Sequence, residues 1–522
     1  MPYPRFSLAL AAAFFTALAH ADVRLPAVIS DHMVLQAGAP APIWGWAAPG
    51  ERVTVSFAGE SISTQAAADG TWRVNLRRLV AKPSAEVLTV AAKNTLTVQD
   101  VLVGEVWLCS GQSNMEMQLK GLHGQVDNAD REIAAANHPS IRMFQHDEVY
   151  DIYKLAVPPS IAQSDRPGKW MVCTPQTAAR FIALGYFFAR EIQQELGGIA
   201  VGLLHSSVGG TPIEAWTSLS AQQSVPALEP VLADWKKRLA GYDPAAELAK
   251  YQDARATWEK ARAGAKSAGQ PAPKAPAAYK NWAVSEPAGL FNGMIQPLVP
   301  YGVRGVLWYQ GERNAAGPLT GYYGLQLKTL VADWRARWGN ELYFAWVQIP
   351  NFQKLQKAPS EPNGWGVWVR DGQRQALSVP RTGMAITIDL ASETAGHPTN
   401  KADYAHRLAL LALHDVYAKP LPIWSGPLYR SVERAGDRMV VSFDHAKGLK
   451  AKAGELGGFA IAGADKKFIW ASAKIEQDRV VVSSDAIKEP VAVRYAWASN
   501  PVGNLVNAAG LPAPPFATDD GK

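Results

Sequence analysis

At 522 residues the chain can bury at least one large core and has room for two or three domains. Its net charge of +6, from 52 basic and 46 acidic residues spread along the chain, argues against nucleic acid as a partner. Two cysteines, Cys109 and Cys173, are too few for a disulfide framework or a metal cluster, and the 18 tryptophans suit both cores and sugar-stacking surfaces.

Residues 1–21 read as a cleavable export signal: Arg5 is the positive start, Leu8 to Leu18 the apolar core, and Ala19-His20-Ala21 the small-residue cleavage site. The expectation is a secreted or periplasmic protein with no membrane span after cleavage, because no other run reaches about 18 uninterrupted apolar residues. Residues 22–100 carry short β-like runs such as Arg52 to Phe57 and Glu86 to Val90, broken at Ala48-Pro49-Gly50 and Ala68-Asp69-Gly70. A small N-terminal β-sandwich is expected there. From 101 to 419 strands alternate with helices, the pattern of a doubly wound α/β domain around a parallel sheet. A helical insertion, about 218–281, interrupts it and ends in the Pro/Ala/Lys stretch Gln270 to Ala278. Residues 420–522 return to β-like runs, Met439 to Phe443 and Arg479 to Val482 among them, and predict a second, small β domain.

Five apolar runs fit central strands: Val101 to Leu108, Ile199 to Leu204, Val303 to Trp308, Leu342 to Val347 and Met384 to Ile388. Ser113 follows the first, Gly209-Gly210 the second, Gln310-Gly311-Glu312-Arg313-Asn314 the third, and Asp389, Glu393 and His397 the fifth. In a parallel sheet these positions share the carboxyl edge, where ligands bind. Acyl transfer needs a hydroxyl, a base and oxyanion donors. Ser113 and His397 supply the first two. The Gly210 N–H, unobstructed by a side chain, and an amide of Gln310 or Asn314 are candidate donors. Each residue also has a structural reading: Ser113 as a helix cap, His397-Pro398 as a helix start, Gly209-Gly210 as a turn and Glu312 as a salt-bridged carboxylate.

The block Trp107-Leu108-Cys109-Ser110-Gly111-Gln112-Ser113-Asn114-Met115 resembles the nucleophile segment of the sialate O-acetylesterase family, within the SGNH hydrolases. Ser30 to Gln36, the glycine block through Gly209 to Trp216, Trp308 to Ala315, and His397 to Leu410 resemble further family segments in the same order. The resemblance implies an SGNH-hydrolase fold and a serine esterase that removes acetyl groups from sugar hydroxyls, with no metal or cofactor. Ser113 would be acylated, His397 would move the proton, and the N–H groups of Ser113 and Gly210 would bind the oxyanion with Gln310 or Asn314. Acetylated sialic acid, xylan and xyloglucan are the substrates it suggests.

Two departures stand out. The family's aspartate two residues before the histidine, or three in many SGNH hydrolases, is replaced here by Ala395 and Thr394. Glu393, a backbone carbonyl or amide, or no group at all is left to orient His397. Arg313 replaces a serine commonly found between Glu312 and Asn314, and together with Glu312 it is expected to meet the sugar or to form an ion pair. A carbohydrate-binding protein on a degenerate esterase fold is the alternative; it would bind glycans without releasing acetate. A lipase-like hydrolase would instead prefer long acyl chains.

Overall fold

The computed structural model describes residues 22–146, 164–274, 276 and 284–521. The expected export signal lies outside the described residues, as does part of the Gln270–Ala278 tip. Seven strands build the central sheet: β1 (Thr95–Gly111), β2 (His138–His146), β3 (Gly168–Cys173), β4 (Ala200–Ser207), β5 (Gly305–Tyr309), β6 (Tyr343–Val347) and β7 (Thr382–Ala385). Their order is β3-β2-β4-β1-β5-β6-β7, parallel except at β3, which pairs antiparallel with β2. The expected α/β parallel sheet is therefore present, and all five expected strands belong to it.

Alternation along β1 decides how the sheet is covered. Val106 and Leu108 enter one hydrophobic core, whereas Trp107 and Cys109 enter the other. The second core is closed by helices α2 (Ala183–Glu195) and α5 (Lys401–Asp415), which pack Phe188, Ile192, Leu408 and Ala412 against it. The first contains Trp334 of α3 (Tyr323–Trp338) and Val369 of α4 (Val367–Gln375). Burial of a side chain such as Leu108 stabilises the fold by roughly 1.5–3 kcal/mol.

The first half of β1 has a different task. Its residues pair with Lys82–Ala91 and, in parallel, with Val34–Gln36, so the expected strand at Val101 begins six residues earlier, at Thr95. A separate two-stranded sheet, Ala41–Trp46 with Thr71–Leu76, packs onto the same core through Ile43, Trp72 and Val74. The N-terminal β layer and the α/β sheet thus share one long strand and one continuous core.

In the insertion, helices span Leu219–Gln223, Glu229–Leu239 and Pro244–Ser267. At the carboxyl end, four strands within Leu428–Ser483 form an antiparallel sheet, and a second four-stranded sheet packs Phe459, Ile461, Val493 and Phe516 against Val441 and Val480. Among the described residues no helix is long and apolar enough to cross a membrane. Cys109 and Cys173 are free thiols, both buried.

Candidate active site

The turn after β1 is dictated by Gly111. Its φ is +138°, and a Cβ there would lie 2.1 Å from the Tyr309 carbonyl oxygen on β5, so a larger residue has no room. The Gln112 N–H donates to that same carbonyl at 2.9 Å, and the chain turns into the single helical turn α1 (Ser113–Glu116). Ser113 stands at its start, 8 % exposed. Ser207 of β4 pairs with Gly111, which brings Gly209 alongside Ser113: a Cβ on Gly209 would lie 3.2 Å from the Ser113 Cβ. Gly210 follows with φ +72°, exposed and unobstructed. Among the described residues the N–H groups of Ser113 and Gly210 donate to no acceptor, so both are available to a ligand oxygen.

The amides expected beside them are engaged elsewhere. Gln310 is fully buried, and its Nε2 faces Asn314 Oδ1 at 2.8 Å, Thr211 O at 3.1 Å and Gln112 Oε1 at 3.3 Å. Its Oε1 accepts from the Tyr323 hydroxyl at 2.9 Å. Asn314 accepts from the Ile213 N–H and donates to Glu214 Oε2 at 3.0 Å. Glu214 also accepts from Gln326 and from Trp235 Nε1, which ties the helical insertion to the glycine segment. With these bonds in place, Gln310 and Asn314 brace the loops around Ser113.

Glu312 and Arg313 diverge. The Arg313 side chain is exposed, and among the described residues it makes no ion pair. It lines a cavity of about 220 Å³ with Trp235, Arg238 and Glu214. Glu312 points inward. Its Oε1 accepts from Asn114 Nδ2 at 2.7 Å, while Oε2 is buried with no hydrogen-bond partner. Burial raises the Glu312 pKa, although the Asn114 hydrogen bond and the Lys401 charge oppose that shift. Lys401, fully buried at the start of α5, donates to Asn114 Oδ1 at 2.7 Å and lies over the rings of Tyr309 and Tyr404. Burial pushes its ammonium down to about 7, against the pull of Glu312. Asn114 thus joins a buried cation to a buried carboxylate.

Asn114 also reaches the histidine loop, donating to the Gly396 carbonyl at 3.1 Å. His397 is exposed, and burial of part of its ring, the charge of His123 and that of Lys401 lower its pKa. Among the described residues no hydrogen bond joins His397 to a carboxylate. Glu393 is exposed, and its Oε1 accepts from the Leu355 N–H at 3.4 Å. Asp389 is committed to Arg407 at 2.6 and 3.1 Å and to Lys452 at 3.1 Å. A second imidazole is present instead. The His123 ring centroid lies 4.9 Å from that of His397, tilted by 32°, and its Nε2 is 2.8 Å from Glu116 Oε2. The same carboxylate oxygen accepts from the Gly209 N–H at 2.7 Å. Sequence reasoning passed over Glu116, His123, Asn114 and Lys401; the available signal was that Asn114 and Glu116 follow Ser113 on the same helical turn.

The family model described as carbohydrate esterase, sialic acid-specific acetylesterase, matches residues 103–263. Sialate O-acetylesterase from Homo sapiens is 27 % identical, over 95 % of this chain and 93 % of its own length; that from Pongo abelii is 26 % identical, over 94 % and 92 %. The crystal structure of a carbohydrate acetylesterase from Xanthomonas citri aligns with 95 % of this chain and 100 % of its own, at 36 % identity and a TM-score of 0.77. The chain belongs to the sialate O-acetylesterase family. Like its relatives, this family member is a carboxylic-ester hydrolase, and an acetylated carbohydrate fits as its substrate.

Proposed function

We propose that the enzyme deacetylates sugar hydroxyls through an acetyl-Ser113 intermediate, and that it does so after export. The observation that carries this reading is convergence. Asn114, next to Ser113, is bonded to Gly396, next to His397, while the free N–H groups of Ser113 and Gly210 sit on the Ser113 turn and on the adjoining loop after β4. In the first step the Ser113 oxygen bonds to the acetyl carbon as its proton passes to His397. The carbonyl oxygen takes up the negative charge, facing the two N–H donors. The bond from carbon to sugar oxygen then breaks, and His397 returns the proton to that oxygen. Water repeats the sequence on the acetyl-enzyme, giving acetate and restoring the serine hydroxyl. Gln310 and Asn314 act here through the loops they hold. The 1–21 segment supports export.

The substrate reading rests on a cavity of about 580 Å³ lined by Thr320, Gln353, Asn363, Trp365 and Trp368. Ala315 and Ala316, directly after Asn314, form one wall, and the Gln353 N–H donates to the Glu393 carbonyl in the histidine loop. The two tryptophans are half-buried and held edge-on by Phe352 and Trp497. Indole faces and amides without a charged lining residue suit a neutral glycan such as xylan or xyloglucan better than the carboxylate of a sialic acid. Acetate release from acetylated sialic acid, xylan and xyloglucan, with Ser113→Ala as control, tests the reading. Ser113-dependent release is expected, greatest from a neutral glycan; release that survives Ser113→Ala refutes the mechanism.

A further inference from the structure

The sequence lacks the acid that normally orients the catalytic imidazole, and the structure brings neither Glu393 nor Asp389 to His397. We infer that His123, held by Glu116, is the positioning residue for His397; the inference rests on the Ser113–His397 reading above. Four observations converge on it. Glu116 is 4 % exposed and lies on the same helical turn as Ser113. Its Oε2 takes one hydrogen bond from the Gly209 N–H, at 2.7 Å, and meets His123 Nε2 at 2.8 Å. His123 has a φ of +64°, a left-handed conformation that few residues other than glycine adopt, so the loop is bent where its ring is delivered. The ring then packs on His397, with centroids 4.9 Å apart.

Space is tight around this cluster. A Cβ built on Gly209 would meet Glu116 Oε2 at 3.1 Å, and His123 Cε1 and Ser113 Cβ at 3.2 Å each. Nucleophile, oxyanion loop and acid–imidazole pair therefore share one small volume.

The arrangement acts in two ways. The carboxylate accepts the Nε2–H of His123, which selects one tautomer and locks the ring plane. That ring covers one face of His397 and limits its rotation, as a direct carboxylate would. Among the described residues, the charged and titratable groups acting on the two rings are Glu116, hydrogen-bonded to His123, and Lys401, whose charge acts on His397.

The test is steady-state kinetics on a short-chain aryl acetate with His123→Ala, His123→Phe and Glu116→Gln, beside Ser113→Ala and His397→Ala. Misplacement of a catalytic group costs on the order of 10²-fold in rate. His123→Ala is expected to lower kcat by about that factor with KM within roughly threefold. His123→Phe keeps a packed ring without the bond to Glu116 and is expected not to rescue. Glu116→Gln keeps an acceptor for Gly209 but removes the charge, and is expected to lose at least about tenfold in kcat. Full kcat in both His123→Phe and Glu116→Gln, or a loss confined to KM, overturns the proposal. If Ser113→Ala or His397→Ala stays active, the underlying mechanism fails instead. Should His123→Ala not fold, Glu116→Gln carries the test, because its side chain has nearly the same shape.

Discussion

Asn114 Nδ2 donates to the Gly396 carbonyl at 3.1 Å, so the residue after Ser113, the proposed nucleophile, is tied directly to the residue before His397, the proposed base. The same amide contacts Glu312 at 2.7 Å, and its oxygen accepts from Lys401 at 2.7 Å. Asn114→Ala would leave a buried ammonium and a buried carboxylate without that partner, each unsatisfied group costing about 1–3 kcal/mol. The expected result is a lower thermal midpoint together with a fall in kcat. A variant that melts like wild type and keeps its kcat would show that the tie is idle.

The pH profile follows from His397. Its pKa is lowered first by burial and then by the charges of His123 and Lys401. The base must be neutral to accept the Ser113 proton, so a lowered value keeps it competent at lower pH. The acidic limb of kcat/KM should therefore have its midpoint below the ordinary imidazole value of about 6.5. Lys401→Met removes a neighbouring cation and should move that midpoint upward. A limb at or above the ordinary value in wild type would contradict the assignment of His397 as the base.

Substrate length should separate the tryptophan cavity from the catalytic centre. Trp365→Ala and Trp368→Ala remove a stacking face worth about 0.5–1.5 kcal/mol beyond area, or a several-fold change in affinity. KM for acetylated oligosaccharides should rise while kcat/KM for a short aryl acetate stays near wild type. Equal losses on both substrates would place these residues in the general structure instead.

The thiols should be inert. Burial raises the pKa of Cys109 and Cys173, and both are enclosed in the folded protein. A thiol reagent is expected to find none in the native state and two after denaturation. Rapid native labelling of either would contradict the burial.

The fold and the turn that carries Ser113 were legible because their signals are local. The run Val101 to Leu108 with Gly111 and Ser113 encodes a buried strand and a turn that only glycine fits, and the mixed cores behind Trp107 and Leu108 follow from simple alternation. His397 was legible by its position after the last strand. The acid–imidazole pair was not: His123 lies seven residues beyond Glu116, in the turn of the short hairpin that pairs Lys120–Gly121 with Gly124–Gln125, with no periodicity to mark that they meet. Gln310 and Asn314 were placed correctly at the strand end, yet the direction of their amides depends on Glu214, Thr211 and Tyr323, which only the assembled fold brings within reach. Glu393, close to His397 in sequence, turns its carboxylate to Leu355 because backbone bonds such as Gln353 N–H to Glu393 O set the loop's course.

The most direct measurement is acetate release by wild type, Ser113→Ala and His397→Ala on an acetylated glycan and on a short aryl acetate. Loss of at least about 10³-fold in both variants, with folding intact, is the expected result, since the acyl-transfer step needs both residues together. Acetate release that persists in Ser113→Ala, or a wild type that binds glycan and releases no acetate from either substrate, would contradict the serine acetylesterase mechanism.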